Sequence, residues 1–169
     1  MLDVDALLNR PLRLLVADDH PVVRAGLIAM LEADPRMTVV CEAADGIEAV
    51  EAWREHAPDV GLIDLSMPRL SGFDAVRAIR TMAGDARLVV ITALGGDEDV
   101  HRALRSGAAG YLLKDCGREE LVACIRAVSQ GCKYLHAAAA RCLAEHITHT
   151  ALTPRETDVL TWLARGSSN

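Results

Sequence analysis

The stretch LRLLVADDHP, residues 12–21, joins a short apolar run to two consecutive carboxylates, a histidine and a proline. Runs of this kind, rich in Val, Ile and Leu, read as buried parallel strands, here over about residues 13–18. Pro21 suits the first turn of a following helix, which the pattern carries to about Ala33. The same grammar recurs three times. DVGLID at 59–64, RLVVIT at 87–92 and AGYLLK at 109–114 each end an apolar run on a polar residue. Helix-like segments separate them, and alternating strand and helix units of this length build an α/β doubly wound sheet with helices on both faces.

In an open α/β sheet, ligands collect in the crevice outside the carboxyl ends of the strands. Asp18, Asp19, Asp64, Thr92 and Lys114 would therefore converge on one small pocket. Three carboxylates crowded together repel one another unless a cation binds or a proton is retained. Asp18 and Asp19 offer hard oxygen ligands of the kind Mg²⁺ takes, with Mn²⁺ as an alternative occupant. Asp64 is placed to act as a nucleophile toward phosphorus, forming an acyl phosphate. Lys114 would pair with the phosphoryl oxygens as a point charge, and Thr92 would donate its hydroxyl to one of them. An acidic pair after a strand is, by itself, as readily a helix N-cap. The full set, each member at a strand end and in this order, is far more specific.

The remaining elements fall between these anchors. TVVCEA forms a second strand ending at Ala43, and DGIEAVEAWREH a second helix. SGFDAVRAIRTM is a third helix with Ser71 as N-cap, and GDEDVHRALRSG a fourth. The fifth runs from about Arg118 to Gln130 on an apolar face of Leu121, Val122, Cys124, Ile125 and Val128. Near the end, LTPRETDVLTWLARG has the marks of one capped helix: Thr153 as N-cap, Pro154 in the first turn, Glu156 completing a capping box and Gly166 as C-cap.

The segments LLVADDHPVVRAGL, DVGLIDLSMPRLSGFDAVRAIR, VVITAL and GAAGYLLKD resemble the receiver domain of bacterial two-component response regulators. With the tail LTPRETDVLTWLARGSSN they point to the subgroup with a LuxR-type helix-turn-helix output (NarL/FixJ-like). The resemblance implies a receiver over residues 12–131 with a five-stranded sheet of order 2-1-3-4-5. A partly helical linker follows at 132–150, with a short helix through AAAARCLAEH. Residues 151–169 then supply only the first helix of an output domain. No recognition helix is among them, so DNA bases are expected to be read only through a part of the output domain that this chain does not contain.

The same resemblance implies Asp64 as phosphoacceptor and a metal held by Asp18, Asp19, Asp64 and the backbone carbonyl of Ser66. It makes Ala93 a small residue leaving room for phosphodonors, and Tyr111 a switch whose ring packs inward when Thr92 moves toward the phosphoryl group. The alternative reading of Tyr111 is a ring at the rim of a half-buried strand with its hydroxyl in water. Pro68 stiffens the loop after Asp64, and Gly72 lets the chain enter the third helix without a Cβ. His20 is read as part of the helix start. The implied partners are a cognate sensor histidine kinase and a second copy on phosphorylation. Helices one and five, with Arg24 and Arg126 beside apolar residues, offer a mixed interface for that dimer.

Composition bounds what else is open. The net charge of −6 in 169 residues argues against a nucleic-acid surface on this chain itself. No apolar run approaches the ~20 residues of a membrane span and no signal-peptide pattern opens the chain, so a cytoplasmic protein is expected. Cys41, Cys116, Cys124, Cys132 and Cys142 show no zinc spacing and fit small apolar side chains in a reducing compartment. The chain is not expected to be an enzyme. A dehalogenase-like phosphatase would carry a second acid two residues after its nucleophile, where this chain has Ser66. A receiver that acts without phosphorylation, purely through protein–protein contacts, is the alternative function.

Overall fold

A computed structural model of the chain describes residues 10–93, 96–137 and 140. Strands and helices alternate: β1 (Leu12–Ala17), α1 (Pro21–Glu32), β2 (Met37–Ala43), α2 (Gly46–His56), β3 (Val60–Asp64), α3 (Gly72–Met82), β4 (Leu88–Thr92), α4 (Asp97–Ser106), β5 (Gly110–Leu113), α5 (Arg118–Ser129) and β6 (Tyr134–Leu135). The sheet order is β2-β1-β3-β4-β5-β6, with every pairing parallel. The expected doubly wound fold is present with one strand more than expected. Tyr134 N–H donates to Ala109 O at 2.9 Å and His136 N–H to Tyr111 O at 3.0 Å, so β6 covers the edge of β5 that would otherwise be open. In the expected linker helix, Ala137 and Ala140 are helical; the rest of that segment and the 151–169 tail lie outside the described residues.

The two-residue period of the strands divides the core. Leu14, Val16, Leu62, Val89, Ile91 and Leu112 pack against Leu27 and Leu31 of α1 and Leu121, Ile125 and Val128 of α5. Leu15, Ala17, Ile63, Leu88, Val90 and Tyr111 face α2, α3 and α4 through Trp53, Phe73, Val76, Ile79, Val100 and Ala103. β3 and β4 are buried along their whole lengths, as central strands covered on both faces must be. Their last residues, Asp64 and Thr92, therefore end in the interior rather than in solvent. Every such side chain stabilises by burial at about 25 cal/mol per Å² of apolar surface.

Local signals set the ends of the helices that frame the strand tips. Asp45 caps α2 by accepting from Ile47 N–H at 2.8 Å and Glu48 N–H at 3.0 Å. Ser71 caps α3 through Asp74 N–H at 3.3 Å, as its sequence predicted, and its hydroxyl donates to Asp74 Oδ2 at 2.7 Å. Gly72 has a stronger reason to be glycine than the turn alone. A Cβ there would meet Asp64 O at 2.0 Å, so only a residue without one lets α3 press against the end of β3. Gly72 N–H donates to Leu65 O at 3.0 Å and completes that junction.

Candidate functional site

The strand ends bring Asp18, Asp64 and Lys114 together. Asp18 follows β1 and is fully buried; its N–H donates to Ala43 O at 3.1 Å, which ties the tip of β1 to that of β2. Asp64 is the last residue of β3 and is 1% exposed. Lys114 follows β5, its N–H donating to Thr92 O at 2.8 Å. The Lys114 Nζ lies 2.7 Å from Asp18 Oδ2 and 3.0 Å from Asp64 Oδ2. Asp19 is partly exposed beside them. Burial pulls the Lys114 ammonium down, and the carboxylates of Asp18 and Asp64 more than reverse that, so it titrates above its ordinary 10.5. It is a fixed positive charge at neutral pH.

The buried oxygens of this cluster suit a cation. Asp18 Oδ2, Asp19 Oδ1 and Asp64 Oδ2 are enclosed, and no donor among the described residues makes a well-formed hydrogen bond to them. The Lys114 ammonium contacts two of them, at 2.7 and 3.0 Å. One ammonium against three crowded carboxylates leaves net negative charge, which a divalent cation would offset. Oxygen donors of this type are what Mg²⁺ and Mn²⁺ take, so the residues fit such an ion.

The other expected residues sit around this centre. Thr92 is 4% exposed at the end of β4, adjoining β5 in register with Leu113. Ser66 and Ala93 are exposed and, with Leu65, Phe73, Thr92 and Asp99, line a recess of about 210 Å³. The loop carrying Ser66 is held from outside: Arg69, in a left-handed conformation with φ 63°, places Nη1 2.7 Å from Asp45 Oδ2. Tyr111 is not at a wet rim. Its side chain is 1% exposed and lies in the core cluster of Phe73, Val100 and Ala103, because β5 is covered by α4 and by β6.

Three residues make contacts that their sequence positions did not announce. Arg24 is mostly buried, donating from Nη1 to Asp18 O at 2.6 Å and from Nε to Glu42 Oε2 at 3.0 Å. It braces the acidic end of β1 instead of presenting a charge to a partner. Arg126 likewise pairs with Asp34 at the opposite end of the domain. Both arginines of the expected mixed interface are thus engaged within the fold. His20, read as part of the helix start, makes no side-chain cap; its Nδ1 lies 2.7 Å from Asp19 Oδ1. Spacing along the chain carries no signal for Arg24 and Arg126, whose partners lie on other elements, whereas His20 contacts its own sequence neighbour.

Known proteins share this arrangement. Residues 14–126 match the response regulator receiver domain family. The chain is 38% identical to the nitrate/nitrite response regulator protein NarP of Escherichia coli K12, over 94% of this chain and 77% of that protein. It is 36% identical to the transcriptional regulatory protein LiaR of Bacillus subtilis, over 94% and 79%. Among solved structures, a LuxR-family two-component response regulator from Aurantimonas superposes with a TM-score of 0.78 at 36% identity, covering 82% of this chain and 99% of that one. No helix among the described residues is long and apolar enough to cross a membrane. This chain belongs to the response regulators of bacterial two-component systems, in the NarL-like, LuxR-type group that regulates transcription.

Proposed function

We propose that the chain accepts a phosphoryl group on Asp64 from a cognate sensor histidine kinase and thereby switches a transcriptional output. The observation that carries this reading is the juxtaposition of buried Asp18 and Asp64 with Lys114 at 2.7 and 3.0 Å. A carboxylate oxygen of Asp64 attacks phosphorus, the bond from phosphorus to the donor breaks, and the donor leaves with the electron pair. Lys114 pairs with a phosphoryl oxygen, and Thr92 donates its hydroxyl to another. Asp18, Asp19, Asp64 and the carbonyl of Ser66 hold Mg²⁺, or Mn²⁺ in its place; when bound, the ion offsets charge on the phosphoryl oxygens. Ala93 leaves the recess beside Thr92 open to the donor.

Tyr111 reports the state of Thr92 by repacking in the cluster it shares with Phe73, Val100 and Ala103. Phosphorylation promotes a homodimer, and residues 12–131, 132–150 and 151–169 serve as receiver, linker and the first part of the DNA-binding output. The site acts in the cytoplasm on a kinase partner, with no separate substrate turned over. Intact mass after acetyl phosphate and Mg²⁺ tests this. One phosphoryl adduct that needs the metal and vanishes in Asp64→Ala is expected, with a shift to dimer under beryllofluoride. An adduct that persists in Asp64→Ala, or none in the wild type, refutes it and leaves a receiver acting through protein contacts alone.

A further inference from the structure

His20 gives the carboxylate pocket a nitrogen. Its backbone N–H donates to Asp18 Oδ1 at 2.8 Å, which seats the residue directly above the buried acid. Its Nδ1 is 2.7 Å from Asp19 Oδ1 and 3.5 Å from Asp18 Oδ1, while the ring is 64% exposed. One donor atom each from Asp18, Asp19, His20 and Asp64 can be chosen so that all lie within 4.8 Å of one another. Ligands about 2.1 Å from a first-row ion stand about 4.2 Å apart when opposite each other. A pair at the 4.8 Å limit needs to close by roughly 0.6 Å if its members are opposite and by about 1.8 Å if they are adjacent, which rotation of the exposed imidazole and of Asp19 supplies. Its inner end is formed by the buried Asp18 Oδ2 and Asp64 Oδ2, which share the single Lys114 ammonium at 2.7 and 3.0 Å.

We propose that His20 is a ligand for first-row transition cations and sets a metal preference that the acids alone do not. This rests on the reading of Asp18, Asp19 and Asp64 as a cation site. Mg²⁺ is a hard ion that takes oxygen, and it gains nothing from an imidazole. Co²⁺, Ni²⁺ and Zn²⁺ take imidazole nitrogen readily, and their affinity for a mixed nitrogen and oxygen site exceeds that for oxygen alone. Binding displaces the Nδ1 proton that faces Asp19 to solvent, and the ring then donates the Nδ1 lone pair to the ion with its remaining proton on Nε2. Asp19 then gives up its contact with Nδ1 and turns the same oxygen to the ion. The consequence is a pocket in which transition cations displace Mg²⁺ at concentrations far below it.

The experiment titrates Co²⁺ into the full chain, His20→Asn and Asp64→Asn, following the visible absorption of the ion and the ring-nitrogen NMR shifts of the histidines. Mg²⁺ affinity is measured on the same proteins from the metal-dependent rise in melting temperature. The expected result is a His20 nitrogen resonance displaced by Co²⁺ or Zn²⁺, and a loss of Co²⁺ affinity of about tenfold or more in His20→Asn. Mg²⁺ affinity of His20→Asn stays within about twofold, and Asp64→Asn loses both ions. Unchanged Co²⁺ affinity in His20→Asn overturns the proposal and leaves the Mg²⁺ site standing. Co²⁺ binding that survives Asp64→Asn overturns it by placing the ion elsewhere. A wild type that responds to neither ion overturns the underlying cation site along with it.

Discussion

Gly72→Ala sets two familiar effects against each other. Alanine is the better helix former, and on propensity alone the substitution at the start of α3 would stabilise by up to about 1 kcal/mol. The structure predicts the opposite. The added Cβ would lie 2.0 Å from Asp64 O and 2.8 Å from Asp64 C and Leu65 Cα, where ordinary contact begins at 3.4 Å. All three atoms are backbone, so no flexible side chain can move aside. Overpacking of this kind costs about 1–3 kcal/mol, and a main-chain obstacle belongs at the upper end. Subtracting the helix gain leaves a net loss of about 2 kcal/mol, which for a domain of this size lowers the melting temperature by about 8 °C. The relief can come only from displacing the end of β3, and a shift of about 1 Å in Asp64 should slow phosphoryl uptake by up to a hundredfold. Gly26→Ala is the matched control. It lies inside α1, a Cβ there meets nothing within 4 Å, and it should raise the melting temperature by about 3 °C. Thermal unfolding by circular dichroism, with acetyl phosphate uptake on the same samples, decides the matter. If Gly72→Ala melts at or above wild type, the steric argument for that glycine is wrong.

Three further outcomes follow from the same geometry. Arg24→Ala removes charged hydrogen bonds to Asp18 O and Glu42, so it should cost about 1.5 kcal/mol and weaken Mg²⁺ binding; isothermal titration showing wild-type affinity would remove its bracing role. The Arg36 backbone N–H, the Arg36 guanidinium and Arg126 hold the Asp34 carboxyl well below its ordinary 3.8. A depressed carboxyl contributes stability above its unfolded pKa that is lost as pH falls through the folded value, so the melting temperatures of wild type and Asp34→Asn should stay a fixed gap apart down to about pH 4 and converge below it. A gap that persists into strong acid contradicts this. Burial pushes the thiols of Cys41 and Cys116 to about 11 and that of Cys124 to about 12, whereas Cys132 is exposed. Iodoacetamide at neutral pH should therefore label Cys132 and spare Cys41, Cys116 and Cys124, as read by peptide mass; modification of Cys124 in the folded protein would count against the packing described.

What the residues announced in advance was whatever is written in periodicity. The strands of 12–17, 60–64, 88–92 and 110–113 are continuous apolar runs, and a polar residue terminating such a run can only lie at the strand tip, so Asp18, Asp64, Thr92 and Lys114 were legible. Ser71 was legible because a cap has a fixed offset from its helix. β6 was not, since two residues at a sheet edge carry no period of their own. The burial of Tyr111 depends on α4 and β6 arriving over β5, which is a matter of docking rather than of local pattern. The contact of Arg24 with Glu42 is hidden for the same reason, since the spacing of adjacent strand tips assembles it, whereas His20 is the N-cap residue of α1, in keeping with its reading as part of the helix start. Gly72 was recognised as special but for the weaker cause, because a 2.0 Å approach to another strand is invisible along the chain.

The contact of Lys114 with Asp18 and Asp64 has a further consequence, in terms of effective concentration. A cation tethered by its own backbone beside two buried carboxylates acts as a counter-ion that is never diluted. The domain can fold with a counter-ion beside these acids without waiting for a metal from solution, which separates the assembly of the site from its loading. The same tether sets a threshold. Any divalent ion must outcompete an ammonium already in contact, so its apparent affinity is that of the bare carboxylates multiplied by the fraction of time the ammonium leaves them free. Occupancy then follows the concentration of free cation reversibly.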